Sequence, residues 1–188
     1  MISHKLKTII IHIPKTGGSS IETVLGMKGV QHLNGVVAKE TYSDIWDDYL
    51  KFTFVRNPWD RLVSIYHYYK FGSEPENQHH KKTIPNSFKE FVVGFCNRDN
   101  QWYDILIKSQ KSWIIDDNGE LLVDYIARFE DYDTEVQSIG DKVGIQINNI
   151  PHKKKSKRGG YKEYYDKESI ELVRNLFKED IEYFNYEY

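Results

Sequence analysis

Apolar positions along this chain follow two spacings. Thr8-Ile9-Ile10-Ile11-His12-Ile13 is a short β-branched run, and residues 7–13 are predicted as a strand buried on both faces. It runs into Pro14-Lys15-Thr16-Gly17-Gly18-Ser19-Ser20, after which Ile21, Val24 and Leu25 share a helical face that Gly26 can end. A second strand, Phe52-Thr53-Phe54-Val55, leads through Arg56-Asn57-Pro58 into a helix over residues 59–71, where Leu62, Val63, Ile65, Tyr66 and Tyr69 recur at helical spacing. The order strand, loop, helix therefore occurs twice.

Residues 72–86 are polar and contain Pro75 and Pro85, which predicts a long loop placed to act as a lid or substrate edge. Ser87 is the expected N-cap of a helix that begins at Phe88 and stops near Asn97, with Glu90 at the capping-box position. Asp117-Asn118-Gly119 predicts a turn, followed by a strand over residues 121–126 that runs into Arg128-Phe129-Glu130. Helix is expected again over residues 131–140. The run Lys153-Lys154-Lys155-Ser156-Lys157-Arg158-Gly159-Gly160 reads as a basic loop, and residues 166–179 as an amphipathic closing helix. Strands interleaved with helices imply the α/β class, a mainly parallel sheet flanked by helices on both faces.

Length and composition narrow this picture. The 188 residues suit one domain, since domains hold roughly 100–200 residues, so residues 1–188 are read as a single domain. Only 39% of the chain is hydrophobic, but Tyr (14), Phe (9) and Trp (4) bring large areas to a core. Acidic and basic residues nearly balance at a net charge of −2, which gives no reason to expect a nucleic-acid partner, so any anion site must be local. Cys96 is the single cysteine; that excludes an internal disulfide or a multi-cysteine metal site and suits a reducing compartment. No apolar run reaches the roughly 20 residues of a membrane span, and Met1-Ile2-Ser3-His4-Lys5 has no secretion-signal character. The expectation is a soluble, cytoplasmic protein.

The candidate chemistry lies in the two loops. A loop between strand and helix can cradle a phosphate with backbone N–H groups while glycines permit close approach. Here Lys15 adds a mobile charge, and Thr16, Ser19 and Ser20 add hydroxyl donors. The lysine does not follow the second glycine as it does in a Walker-type loop, which disfavours ATP. Arg56 leaves the end of the second strand, where ligands bind in open α/β sheets, and Ser64 lies on the following helix; both suit one phosphate. Arg61 reads equally well as a structural ion-pair residue.

Lys15 through Ser20 resembles the 5′-phosphosulfate loop of sulfotransferases, and Val55-Arg56-Asn57-Pro58 through Ser64 resembles their 3′-phosphate motif. The likeness is to the carbohydrate O-sulfotransferases of the heparan 2-O- and HNK-1-like group, and it extends to Val123 through Glu130 and to Tyr161 through the aromatic C-terminus. It implies a P-loop-like sulfotransferase fold and transfer of a sulfuryl group from 3′-phosphoadenosine-5′-phosphosulfate (PAPS) to an acceptor hydroxyl, on a glycan or small molecule. Adenosine 3′,5′-bisphosphate (PAP) is the implied product, and no metal is implied. Lys15, Thr16, Gly17, Gly18, Ser19 and Ser20 would contact the 5′-phosphosulfate, with Lys15 stabilising the bridging oxygen. Arg56 and Ser64 would hold the 3′-phosphate, and Arg158 and Gly159 would belong to a basic loop closing over the nucleotide, unless that run is only solvated. His32 is the favoured base by resemblance, and Glu22 the next candidate. His12 reads as packed, and His79-His80 lack the nearby third ligand that a metal site needs. Asn97, Trp102, Tyr103, Gln110 and Trp113 either meet a sugar ring or fill core. A kinase on a related fold, or a nucleotide-binding module without turnover, are the competing readings.

Overall fold

The computed structural model describes residues 1–27, 32–72, 82–99, 104–150 and 158–188. Two compact units emerge, Met1–Arg56 with Gln110–Lys155 and Asn57–Ser109 with Ser156–Tyr188.

The first unit holds the sheet. Strand β1 (Ile2–Ser3) pairs antiparallel with β2 (Thr8–Ile11), whose other edge pairs parallel with β3 (Leu50–Val55); β4 (Tyr125–Arg128) then pairs parallel with β3. All of β2 is buried, as are Phe52 to Val55 of β3, which is why these strands read as unbroken apolar runs rather than as an alternation. The hydroxyl of Thr53 stays satisfied inside the sheet by donating to the Ile11 carbonyl at 2.7 Å. Helices α1 (Gly18–Val24) and α2 (Gly35–Thr41) follow β2 in the chain. Ile21 and Leu25 pack with Ile10, Phe52, Phe54 and Ala127 of the sheet and with Tyr132, Val136 and Ile139. The α/β class with a mainly parallel sheet flanked by helices is what the chain adopts.

Several boundaries differ from the sequence reading, each for a local reason. The strand expected over residues 7–13 is β2 and stops at Ile11, and helix α1 already begins at Gly18, so Ser19 and Ser20 are helical rather than part of the loop. Gly26 ends it as expected: at φ 63° it lets the Met27 N–H reach back to the Glu22 carbonyl at 2.8 Å. The strand expected over residues 121–126 is divided. Leu121 pairs back to Ile115 around the Asp116 turn, Asp124 exchanges hydrogen bonds with Lys51, and regular pairing with β3 starts only at Tyr125.

In the second unit, α3 (Pro58–Phe71) is started by Asn57, whose side chain accepts from the Trp59 N–H, with Pro58 in the first turn. Helix α4 (Phe88–Cys96) is capped by Ser87 and stops at Asn97, as the sequence predicts. Helix α5 (Asp104–Ile107) completes the N-terminal part of the unit. Returning to the first unit, α6 (Tyr132–Val143) runs past Gly140 to Gly144. Gly140 is no terminator: a Cβ there would lie 2.7 Å from Ile147 Cδ1, so its small size serves packing. The closing amphipathic segment of the second unit is two helices, α7 (Lys167–Leu176) and α8 (Lys178–Phe184). Buried Phe177 separates them at φ −108° and ψ 28°. Trp59, Leu62, Val63 and Tyr66 of α3 form the core with Phe88, Phe91, Phe95, Val173 and Phe177. Of the loop expected at 72–86, residues 73–81 lie outside the described residues. The rest is tied to α3: Lys70 Nζ donates to the Ile84 carbonyl at 2.7 Å and the Tyr66 hydroxyl to that of Asn86 at 2.6 Å.

Candidate nucleotide and acceptor site

The loop after β2 has a backbone that only particular residues permit. Gly17 lies at φ 95°, and a Cβ there would sit 2.7 Å from Tyr132 Cε2 and 3.1 Å from Phe129 Cδ2; both conformation and space demand glycine. The Tyr132 hydroxyl donates to the Gly17 carbonyl at 2.9 Å. Burial pushes the Tyr132 phenol well above its ordinary pKa, against a smaller opposing effect of the Ser20 side chain, so it remains a neutral donor. Lys15 is also left-handed, at φ 69°, a conformation uncommon for a residue with a side chain. Its carbonyl accepts from Arg56 Nη1 at 3.1 Å. Buried Thr16 donates its hydroxyl to the Ile13 carbonyl at 2.8 Å, which engages its one proton in shaping the loop.

Arg56 is 6% exposed. Its guanidinium lies over the Phe129 ring at 3.8 Å, a face-on contact suited to a planar cation. Its backbone is held at both ends by one side chain: the Arg56 N–H donates to Gln110 Oε1 at 2.9 Å, and Gln110 Nε2 donates to the Arg56 carbonyl at 2.8 Å. Gln110 is completely buried. It therefore imitates a neighbouring strand rather than contacting a sugar ring. Trp113, 3% exposed, is likewise core, Asn97 caps α4, and Trp102 and Tyr103 lie outside the described residues.

The two base candidates, His32 and Glu22, meet at His12. His32, on the exposed face, has Nδ1 3.0 Å from the His12 carbonyl oxygen. The two imidazoles lie 4.6 Å apart between centroids, and Trp113 presents an edge-to-face contact to His32 at 6.4 Å. His12 Nδ1 is 3.8 Å from Glu22 Oε1. His12 is packed, as the sequence suggests, and it is packed between the two candidates. His79 and His80 lie outside the described residues.

The remaining candidates are carried by the second unit. Ser64 is half-buried on α3. Arg158 forms an ion pair with Asp60, and its Nη1 reaches the Gly159 carbonyl at 3.4 Å; residues 153–157 of the basic run lie outside the described residues. Arg61 is 1% exposed, with its guanidinium 5.8 Å from the centre of the Phe177 ring, so it is part of the core of this unit.

A family model described as the sulfotransferase family matches residues 1–187. The chain belongs to the sulfotransferase family. An uncharacterized protein of Archaeoglobus fulgidus is 33% identical over 101 residues, 54% of this chain and 72% of that one. The fold is similar to that of the mouse sulfotransferase SULT7A1, solved in complex with PAP, with a TM-score of 0.54 at 17% identity over 93% of this chain and 84% of the mouse one.

Within this sulfotransferase-family chain, the loop residues and Arg56 expected from sequence come together, as do His32, Glu22 and His12. Phe129 and Tyr132, which clamp the loop and the arginine, were not foreseen as site residues. The block from Val123 to Glu130 marked their neighbourhood, but no spacing rule announces that a tyrosine opening a helix will bond a loop more than a hundred residues earlier. Among the described residues no group of three or more His, Cys, Asp or Glu could hold a metal ion, and no helix is long and apolar enough to cross a membrane.

Proposed function

We propose that this protein transfers the sulfuryl group of PAPS to an acceptor hydroxyl, on a carbohydrate or a similar polyhydroxylated molecule, in the manner of the heparan 2-O- and HNK-1-like sulfotransferases. The observation that carries this reading is the bond from Arg56 Nη1 to the Lys15 carbonyl, which joins the two motifs of the phosphosulfate and 3′-phosphate loops at one place. The residues fit the nucleotide. Lys15 and Arg56 bring two cations to a loop whose left-handed Gly17 is clamped by Tyr132 and Phe129, an arrangement suited to holding a polyanion. The PAP held by the mouse relative supports the same ligand class.

PAPS supplies an activated sulfuryl group, whose S–O bond to phosphate breaks as the acceptor oxygen bonds to sulfur. Lys15 offsets charge on the departing phosphate oxygen. His32 takes the acceptor proton at Nε2. A carbonyl only accepts hydrogen bonds, so the contact to the His12 carbonyl requires the proton of the neutral His32 ring to be on Nδ1, which leaves the lone pair on Nε2. The remaining loop residues and Arg56 bind and orient the nucleotide; Ser64, Arg158 and Gly159 are assigned to it through the resemblance alone, and alanine at Ser64 or Arg158 should weaken PAP binding.

Calorimetric titration with PAP and with adenosine 5′-phosphate, for wild type and Arg56→Ala, tests the reading. Tight binding that needs both the 3′-phosphate and Arg56 is the expected result. Equal binding of the two nucleotides, or none, would remove the PAPS site.

A further inference from the structure

The His12 side chain is not used by the mechanism above, yet it touches most of what that mechanism needs. Its ring lies directly over Gly18: a Cβ there would come within 2.0 Å of Nε2 and 2.2 Å of Cδ2. Nδ1 is turned instead toward Glu22, 3.8 Å from Oε1, with the Glu22 side chain 12% exposed. The ring stands 4.6 Å from that of His32, and the backbone carbonyl of the same residue meets His32 Nδ1 at 3.0 Å. His12 is itself 6% exposed, so it is well placed to transmit position and badly placed to meet an acceptor.

We propose that His12 is the positioning residue of this site: its ring, resting on Gly18, holds the His32 ring against the His12 carbonyl, and that contact selects the His32 tautomer. The inference rests on His32 being the base. An exposed histidine loses side-chain freedom when held in one rotamer, and a single carbonyl bond leaves the ring able to swing off it. The neighbouring imidazole supplies the second restraint. Glu22 orients that imidazole in turn, with Nδ1 toward the carboxylate and the Nε2 edge over the glycine. Gly18 is required for a reason separate from phosphate approach, because any side chain would displace the ring that steadies the base.

The test needs neither an acceptor nor turnover. Nitrogen-15 spectra of His32 at about pH 8, above the ordinary histidine range, report which ring nitrogen bears the proton. Wild type should show the Nδ1–H form. His12→Ala keeps the backbone carbonyl but frees the His32 ring to swing off it, so the single form should give way to a mixture with the Nε2–H form, while PAP still binds with wild-type affinity by calorimetry. His12→Phe keeps a ring over Gly18 and should retain the Nδ1–H form, which guards against misreading a folding defect in the alanine variant. Gly18→Ala should disturb the His32 signal as His12→Ala does, and the double variant no further. A His32 signal unchanged in both His12→Ala and Gly18→Ala would overturn the proposal. So would loss of PAP binding in folded His12→Ala, since the ring would then serve the loop and not the base. If wild type fails to bind PAP, the sulfotransferase reading falls, whereas the His32 spectra still decide the positioning role.

Discussion

Gly17 meets two constraints at once, a left-handed backbone at φ 95° and Tyr132 Cε2 2.7 Å from the position of any Cβ. Gly17→Ala is expected to destabilise the fold by roughly 1–3 kcal/mol through backbone strain alone, read as a lower urea midpoint, and to weaken PAP binding with it. Gln110 makes a comparable point from inside the core. Gln110→Leu conserves much of the volume but removes the bonds to the Arg56 N–H and carbonyl, each buried group left without such a partner costing about 1–3 kcal/mol. Urea unfolding should show this loss even if Leu packs well. Cys96 concerns reactivity. Burial pushes its thiol up to about 11 from an ordinary 9.0, so the folded state holds that proton more tightly than the unfolded chain does. The resulting stabilisation is complete below the ordinary value and is lost as pH rises through the folded one. Near pH 8, a disulfide reagent should therefore label the native thiol much more slowly than the denatured one.

At the scale of elements, α3 is tied to the segment before α7 by side chains rather than by backbone. The Tyr165 hydroxyl donates to the Trp59 carbonyl at 2.9 Å, and His67 Nε2 lies 2.8 Å from the Tyr164 hydroxyl. Burial first, then the charge of Arg158, holds His67 below its ordinary pKa of 6.5. A base with a depressed folded pKa favours the neutral form in the native state, so its contribution to stability is complete above the ordinary value and declines as pH falls through it. Melting temperatures of wild type should drop more between pH 7 and 5 than those of His67→Gln. Helix starts are simpler to read. Ser87 accepts from the Glu90 N–H at 3.4 Å, and Ser87→Ala should cost about 1 kcal/mol of stability by chemical denaturation, the usual worth of such a cap.

For the whole molecule, the proposed ligand should act as a stabiliser. A ligand that binds only the native state contributes about 2.7 kcal/mol at a hundredfold excess over its Kd, so PAP should raise the melting temperature and adenosine 5′-phosphate should not. Turnover that is indifferent to EDTA is expected of a sulfotransferase, whereas the kinase reading requires Mg²⁺. Much of the fold was legible because it rests on local rules: β-branched runs make buried strands, Ser87 and Gly26 punctuate helices, and the loop motifs lie where strands end. Boundaries such as that of β4, the extension of α6 past Gly140 and the division at Phe177 were not, since pairing partners and packing against distant residues decide them. By itself the sequence determined the class of the fold and the place of the glycine loop and of Arg56 at strand ends, since strand propensity, glycine and charge act over a few neighbouring residues. Only the tertiary structure decided that Arg56 bonds the carbonyl of Lys15, that Gln110 supports Arg56 from the core, and that His12, Glu22 and His32 meet, because chain folding alone brings such separated groups within bonding distance.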